Sequence, residues 1–136
     1  MNGGWLSNMP NTSEVDRFLA GYPAPVRETA SAAREFLAKM LPDAEESLDQ
    51  SAKLIGYSYG PGYRGLVCTL MLSKPGVKLG IVRGAELPDP KQLMTGSGKV
   101  HRHVQLRVAA DLTDPGLAQL LKDALAAWRK RYAVDD

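Results

Sequence analysis

The 136-residue chain contains one cysteine, two histidines, two phenylalanines and two tryptophans, and it has no long apolar run. Each scarcity closes a class of protein. A lone Cys68 forms no intramolecular disulfide and no multi-cysteine metal site, and its place inside the apolar string LVCTLML predicts a buried thiol rather than a nucleophile. A membrane-spanning helix needs about 20 apolar residues, whereas the apolar run here covers only residues 65–72. No basic, apolar, small-residue signal pattern opens the chain, so the expected location is cytoplasmic. The few aromatics are scattered without basic interleaving, so nucleic acid is not an expected partner.

What remains is ordinary globular composition, 44% hydrophobic and 24% charged, which fits one domain with its own core. The net charge of +2 conceals an asymmetry: residues 1–50 hold eight acids against four bases, and residues 51–136 hold thirteen bases against seven acids. Residues 1–10, rich in Gly, Asn and Ser, are expected to form a flexible leader, with a single domain over residues 11–134. Asn11, Thr12 or Ser13 then caps a short helix carrying Val15, Phe18 and Leu19, ended by Gly21 and Pro23. From Pro25, the positions Val26, Ala30, Ala33, Phe36, Leu37, Met40 and Leu41 repeat at helical spacing up to Pro42, leaving Arg27, Glu28, Ser31, Arg34 and Glu35 for solvent.

Strand patterns follow. Ile55, Tyr57 and Tyr59 alternate with small residues, residues 66–72 are continuously apolar, Val77, Leu79 and Ile81 alternate up to Arg83, and a further strand covers residues 101–108. Gly60-Pro61-Gly62 and Lys74-Pro75-Gly76 supply short turns, which favour antiparallel pairing. Asp89-Pro90 is expected to start one helical turn through Leu93, and Asp114-Pro115 a long helix with Leu117, Leu120, Leu121, Ala124, Leu125 and Trp128 on its buried face. The order predicts an α+β domain. Its mainly antiparallel sheet of four or five strands carries two N-terminal helices and one C-terminal helix on one face.

The chemistry-bearing residues concentrate in residues 83–106, which hold both histidines together with glycines, prolines and basic side chains. Glycines tolerate positive φ and leave backbone N–H groups open to an anion, and Lys99 and Arg102 add charge. The candidate ligand-binding set is Arg83, Gly84, Gly96, Ser97, Gly98, Lys99, Arg102 and His103. At least one of Gly96 and Gly98 is expected at positive φ. Gly96-Ser97-Gly98-Lys99 is not a P-loop, because Val100 stands where Ser or Thr is required and a strand follows. His101 and His103, two apart on a strand, face one side and offer two ligands to a metal, too few for a stable site; with Gln105 and Arg107 they more simply form an outer polar row, opposite Val104, Leu106 and Val108. Asp43, Glu45, Glu46 and Asp49 form an acidic cluster on a connecting segment, without EF-hand spacing. Tyr57, Tyr59 and Tyr63 are candidates to line a pocket with the basic loop, or equally to pack in the core or on a sheet face. No GxSxG and no paired-carboxylate motif appears, and neither enzymatic activity nor a cofactor is expected.

Several strings resemble the YdhG-like domain family: FLAGYP at 18–23, LPDAEE at 41–46, LGIVRGAELPDP at 79–90, LMTGSGK at 93–99 and RHV at 102–104. The resemblance runs from about Val15 to Ala127. It implies a two-layer, frataxin-like α+β arrangement in a bacterial family mostly labelled as of unknown function. One branch is described as a frataxin-like iron chaperone, which implies iron binding through surface carboxylates; the positive net charge here departs from the acidic character of frataxins. The expected function is a non-enzymatic binding domain, monomeric or homodimeric, taking a small anionic ligand, a phosphate group or an acidic protein segment at the basic loop. Iron held by Asp43, Glu45, Glu46 and Asp49 is the alternative.

Overall fold

The structure, a computed structural model, describes residues 12–96 and 98–132. The expected leader, the side chains expected to cap the first helix, and Ser97 lie outside the described residues. The chain runs through α1 (Thr12–Leu19), α2 (Ala24–Met40), β1 (Glu45–Asp49), β2 (Leu54–Ser58), a short helical turn α3 (Gly62–Gly65), β3 (Leu66–Ser73) and β4 (Gly76–Ile81). It continues through β5 (Met94–Thr95), β6 (Arg102–Leu106) and α4 (Pro115–Arg131), with 3-10 turns at Gly84–Glu86 and Ala109–Thr113. This is an α+β domain whose sheet has the order β1-β2-β3-β4-β6-β5, every neighbouring pair antiparallel. No helix among the described residues is long and apolar enough to cross a membrane.

The pleat sorts the sheet into two faces. Ile55, Leu70, Leu79 and Val104 stand opposite one another across four strands, as do Tyr57, Cys68 and Ile81, and all are buried. They meet the apolar faces of α1, α2 and α4 in one core, with α2 against β3 and β4 and α4 against β3 and α2. All six apolar positions expected on the last helix are buried, and Asp114 caps that helix by accepting the Gly116 amide at 2.8 Å, with Pro115 in its first turn. The other face carries Thr69, Met71, Lys78, Gly80, His103 and Gln105, all partly or fully exposed.

The sheet has six strands where four or five were expected, β1 and β5 adding to the four patterns named above. Strand β1 forms within the acidic segment taken above for a connection, because alternation places Glu46 and Leu48 opposite Tyr57 and Ile55 on the core side and turns Glu45, Ser47 and Asp49 outward. Arg34, expected in solvent, makes this arrangement tenable: its guanidinium is only 16% exposed and grips Glu46 through Nε at 2.9 Å and Nη2 at 2.8 Å. The expected helical turn from Asp89 does not form. Its carboxylate accepts instead from the amides of Leu93 (2.9 Å) and Met94 (2.8 Å), leading the chain into β5, and Gln92 sits at φ +53°, outside right-handed helix. Val108, expected in the core row, is 55% exposed. The Asp111 carboxylate accepts from the Arg107 and Val108 amides, and the backbone leaves the sheet there for a 3-10 turn.

Candidate functional site

Strands β3, β4 and β6 build a groove of about 280 Å³ on the open face of the sheet. Its floor is the cross-strand row Thr69–Gly80–His103, flanked by Met71, and its far wall is Leu66 with the Tyr63 ring. Gly80 matters because a Cβ there would lie 2.8 Å from Thr69 Oγ1 and 3.0 Å from the Met71 methyl, so these two side chains lean across the strand where glycine leaves space. Tyr63 reaches the groove from α3, which two glycines shape. Gly62 has φ +72°, and a Cβ on Gly65 would fall 2.2 Å from the Gly60 carbonyl oxygen.

His101, just before β6, is held at the groove by both ring nitrogens. The Arg83 amide donates to Nδ1 at 2.9 Å, and Nε2 lies 3.2 Å from the Tyr63 hydroxyl. A backbone amide only donates, so Nδ1 is the acceptor, the ring proton sits on Nε2, and Nε2–H donates to the Tyr63 oxygen. His103 Nε2 pairs with Thr95 Oγ1 at 3.0 Å. Burial, and then the charge of Lys78, holds the His103 imidazole below its ordinary pKa. With both His101 nitrogens committed, the histidines do not present the paired metal ligands that their spacing suggests. No group of three or more His, Cys, Asp or Glu side chains among the described residues is placed to hold one ion.

The expected ligand-binding residues are partly gathered here. Arg102 and His103 line the groove, and Gly96, at φ +112°, packs so close to His103 that a Cβ would lie 3.3 Å from Nδ1. Gly98 folds back: its carbonyl accepts from Arg102 Nε at 2.5 Å, and a Cβ would fall 2.5 Å from the His101 carbonyl oxygen. Lys99 is exposed beside it. Arg83 turns away, pairing with Glu86 at 2.6 Å, and buried Gly84 sits among Met94, Arg102 and Ile81. The turn's amides mostly point inward, from Arg83 to His101, from Ala85 to the Val100 carbonyl (2.9 Å) and from Glu86 to the Arg83 carbonyl (3.0 Å).

Of the three tyrosines proposed for a pocket, only Tyr63 lines this one. Tyr57 faces the core, donating to Glu46 Oε2 at 2.5 Å, and Tyr59 donates to the Pro42 carbonyl and packs its ring 5.3 Å from Trp128. The acidic cluster is divided. Glu46 is engaged by Arg34 and Tyr57, while Asp49 accepts from the Ala52 amide and the Ser51 hydroxyl, which hold its carboxyl below the usual range. Thr69 and Met71 line the groove without any local motif; only the strand register places them there, with Lys78 opposite Met71 on the same face. Comparison with protein-family models, curated proteins and solved structures finds no match for this chain.

Proposed function

We propose that the protein is a binding domain that takes a small anionic ligand in the open-face groove, beside the loop at residues 96–99. One observation carries this reading: Arg102 lines a mostly apolar hollow, Lys78 stands opposite Met71 on the same open face of the sheet, Lys99 is exposed in the adjoining turn, and none of the three has a carboxylate partner among the described residues. The nearby acid Glu86 is already paired with Arg83. Uncompensated cations around a partly dry hollow favour an anion more strongly than the same charges spread over open surface. A YdhG-like identity, a cytoplasmic location and a non-enzymatic role belong to this reading, supported by the order of elements and the strings quoted above. Iron binding by the acidic cluster draws no support from the geometry, since β1 places Glu46 on one face and Glu45 and Asp49 on the other.

The test is a thermal-shift series with inorganic phosphate and short carboxylates on the full chain and on a Lys78→Glu/Lys99→Glu variant. A ligand at ten times its Kd stabilises the native state by about 1.4 kcal/mol, so a rise of several degrees is expected for the wild type and none for the variant. No shift with any anion, or equal shifts in both proteins, refutes the proposal.

A further inference from the structure

The hydrogen bonds around His101 have a direction, and that direction specifies what the groove recognises. The sequence of donors starts at the Arg83 amide, which has no alternative but to donate into Nδ1. That places the imidazole proton on Nε2, where it is given to the Tyr63 oxygen at 3.2 Å. The Tyr63 hydroxyl proton is therefore left over, carried by a ring that is 57% exposed and forms one wall of the groove. A phenolic O–H directed in this way asks its ligand for an acceptor. Arg102, which also lines the groove, is committed through its Nε to the Gly98 carbonyl.

The rest of the groove asks for something different. The side chains of Leu66 and Met71 offer no hydrogen bonds, and Met71 leans over Gly80. The groove's volume of about 280 Å³ equals that of roughly nine waters at about 30 Å³ each, enough for one ring or a short branched chain. A fully hydrated dianion such as phosphate would gain the Tyr63 donor and leave this apolar surface wet. We infer that the groove selects a monocarboxylate with a compact apolar body, its carboxylate accepting from the Tyr63 hydroxyl and its body laid on Leu66 and Met71. This rests on the groove being an anion site, and it makes Tyr63 a specificity-determining residue and His101 the residue that positions it.

Benzoate, its neutral isostere benzamide, and inorganic phosphate serve as probes, titrated into the isotope-labelled full chain and followed by amide NMR shifts. Benzoate is expected to move the amides of Thr69, Met71, Gly80 and His103 saturably, with benzamide and phosphate each at least tenfold weaker. Tyr63→Phe, which keeps the exposed ring and removes only the donor, is expected to weaken benzoate about tenfold. His101→Ala is expected to cause a similar loss, not additive with Tyr63→Phe, and His101→Gln, whose amide still donates to Tyr63, to recover part of it. Benzoate bound equally by wild type and Tyr63→Phe, or no better than benzamide, overturns the inference. If phosphate binds the groove and benzoate does not, the inference falls and the anion site stands; if no anion moves the groove amides, both fall.

Discussion

Removing Arg34 should harm this protein more than removing the charge of its partner Glu46, and the difference can be worked from their surroundings. Glu46 is only 8% exposed and has two partners, the Arg34 guanidinium and the Tyr57 hydroxyl. Burial, then the neighbouring Glu46 carboxylate, pushes the Tyr57 pKa far up, so Tyr57 always donates, but one neutral donor does not offset a desolvated carboxylate. Arg34→Met therefore leaves a nearly buried charge uncompensated, at a cost of about 3 to 4 kcal/mol. Glu46→Gln is milder. Arg34 keeps Asp16 at 3.6 Å, reaches more solvent at 16% exposure, and still finds an amide oxygen, so the cost is about 1 to 2 kcal/mol. For a chain of this length each kcal/mol lowers Tm by about 3 to 5 °C. Urea unfolding followed by tryptophan fluorescence, with Arg34→Met/Glu46→Gln completing a cycle, measures all three. The double variant removes both charges and should recover part of the Arg34→Met loss. Equal costs for the two single variants, or an Arg34→Met within about 0.5 kcal/mol of wild type, would refute the argument that Glu46 is held by compensation.

Three other outcomes follow from single residues. Gly96→Val forces a branched residue to φ +112° and should cost about 1 to 3 kcal/mol, whereas exposed Lys99→Ala should leave the urea midpoint unchanged and affect only ligand binding. Cys68 is fully buried and burial pushes its thiol pKa up, so a thiol reagent should leave it untouched in the native protein and titrate it in denaturant; rapid native labelling would contradict that burial. His103 has a lowered folded pKa against an unfolded value of about 6.5, so below that value the unfolded chain binds more protons and stability falls as pH falls toward the folded pKa, levelling off beneath it. The slope should be small, because the ring is largely solvated, and His103→Gln should flatten it when urea midpoints are compared between pH 5 and 8.

The elements that periodicity announces are those whose side chains all serve one purpose. Helix α4 repeats its apolar positions without interruption, and β3 is apolar throughout, so both were legible. Strand β1 was hidden because Glu45-Glu46-Ser47-Leu48-Asp49 has poor β propensity and carries an acid on its inward face, and its stability depends on Arg34, twelve residues upstream of Glu46. No local pattern records such a compensation. Strand β5 was hidden for a similar reason: two residues have no period, and the Asp89 carboxylate that sets up their backbone reads in sequence as a helix cap.

The candidate site shows the same division between local chemistry and cross-strand placement. Gly96 at positive φ, Arg102 and His103 were readable because glycine and charge are local signals. The amides of the same turn looked available because sequence does not show that Ala85 bonds to Val100 or Arg83 to His101, fifteen and eighteen residues apart. Those internal bonds move the site's donors from backbone to side chain. The Arg83 amide spends itself on His101, and its directional effect emerges one residue further on, at the Tyr63 hydroxyl. A loop that reads as an anion cradle thus acts as a brace for the side chains beside the groove that the β3–β4–β6 register builds. Changes in the loop should therefore act chiefly through His101 and Arg102, whereas changes at Tyr63, Gly80 or Met71 should alter what the groove accepts.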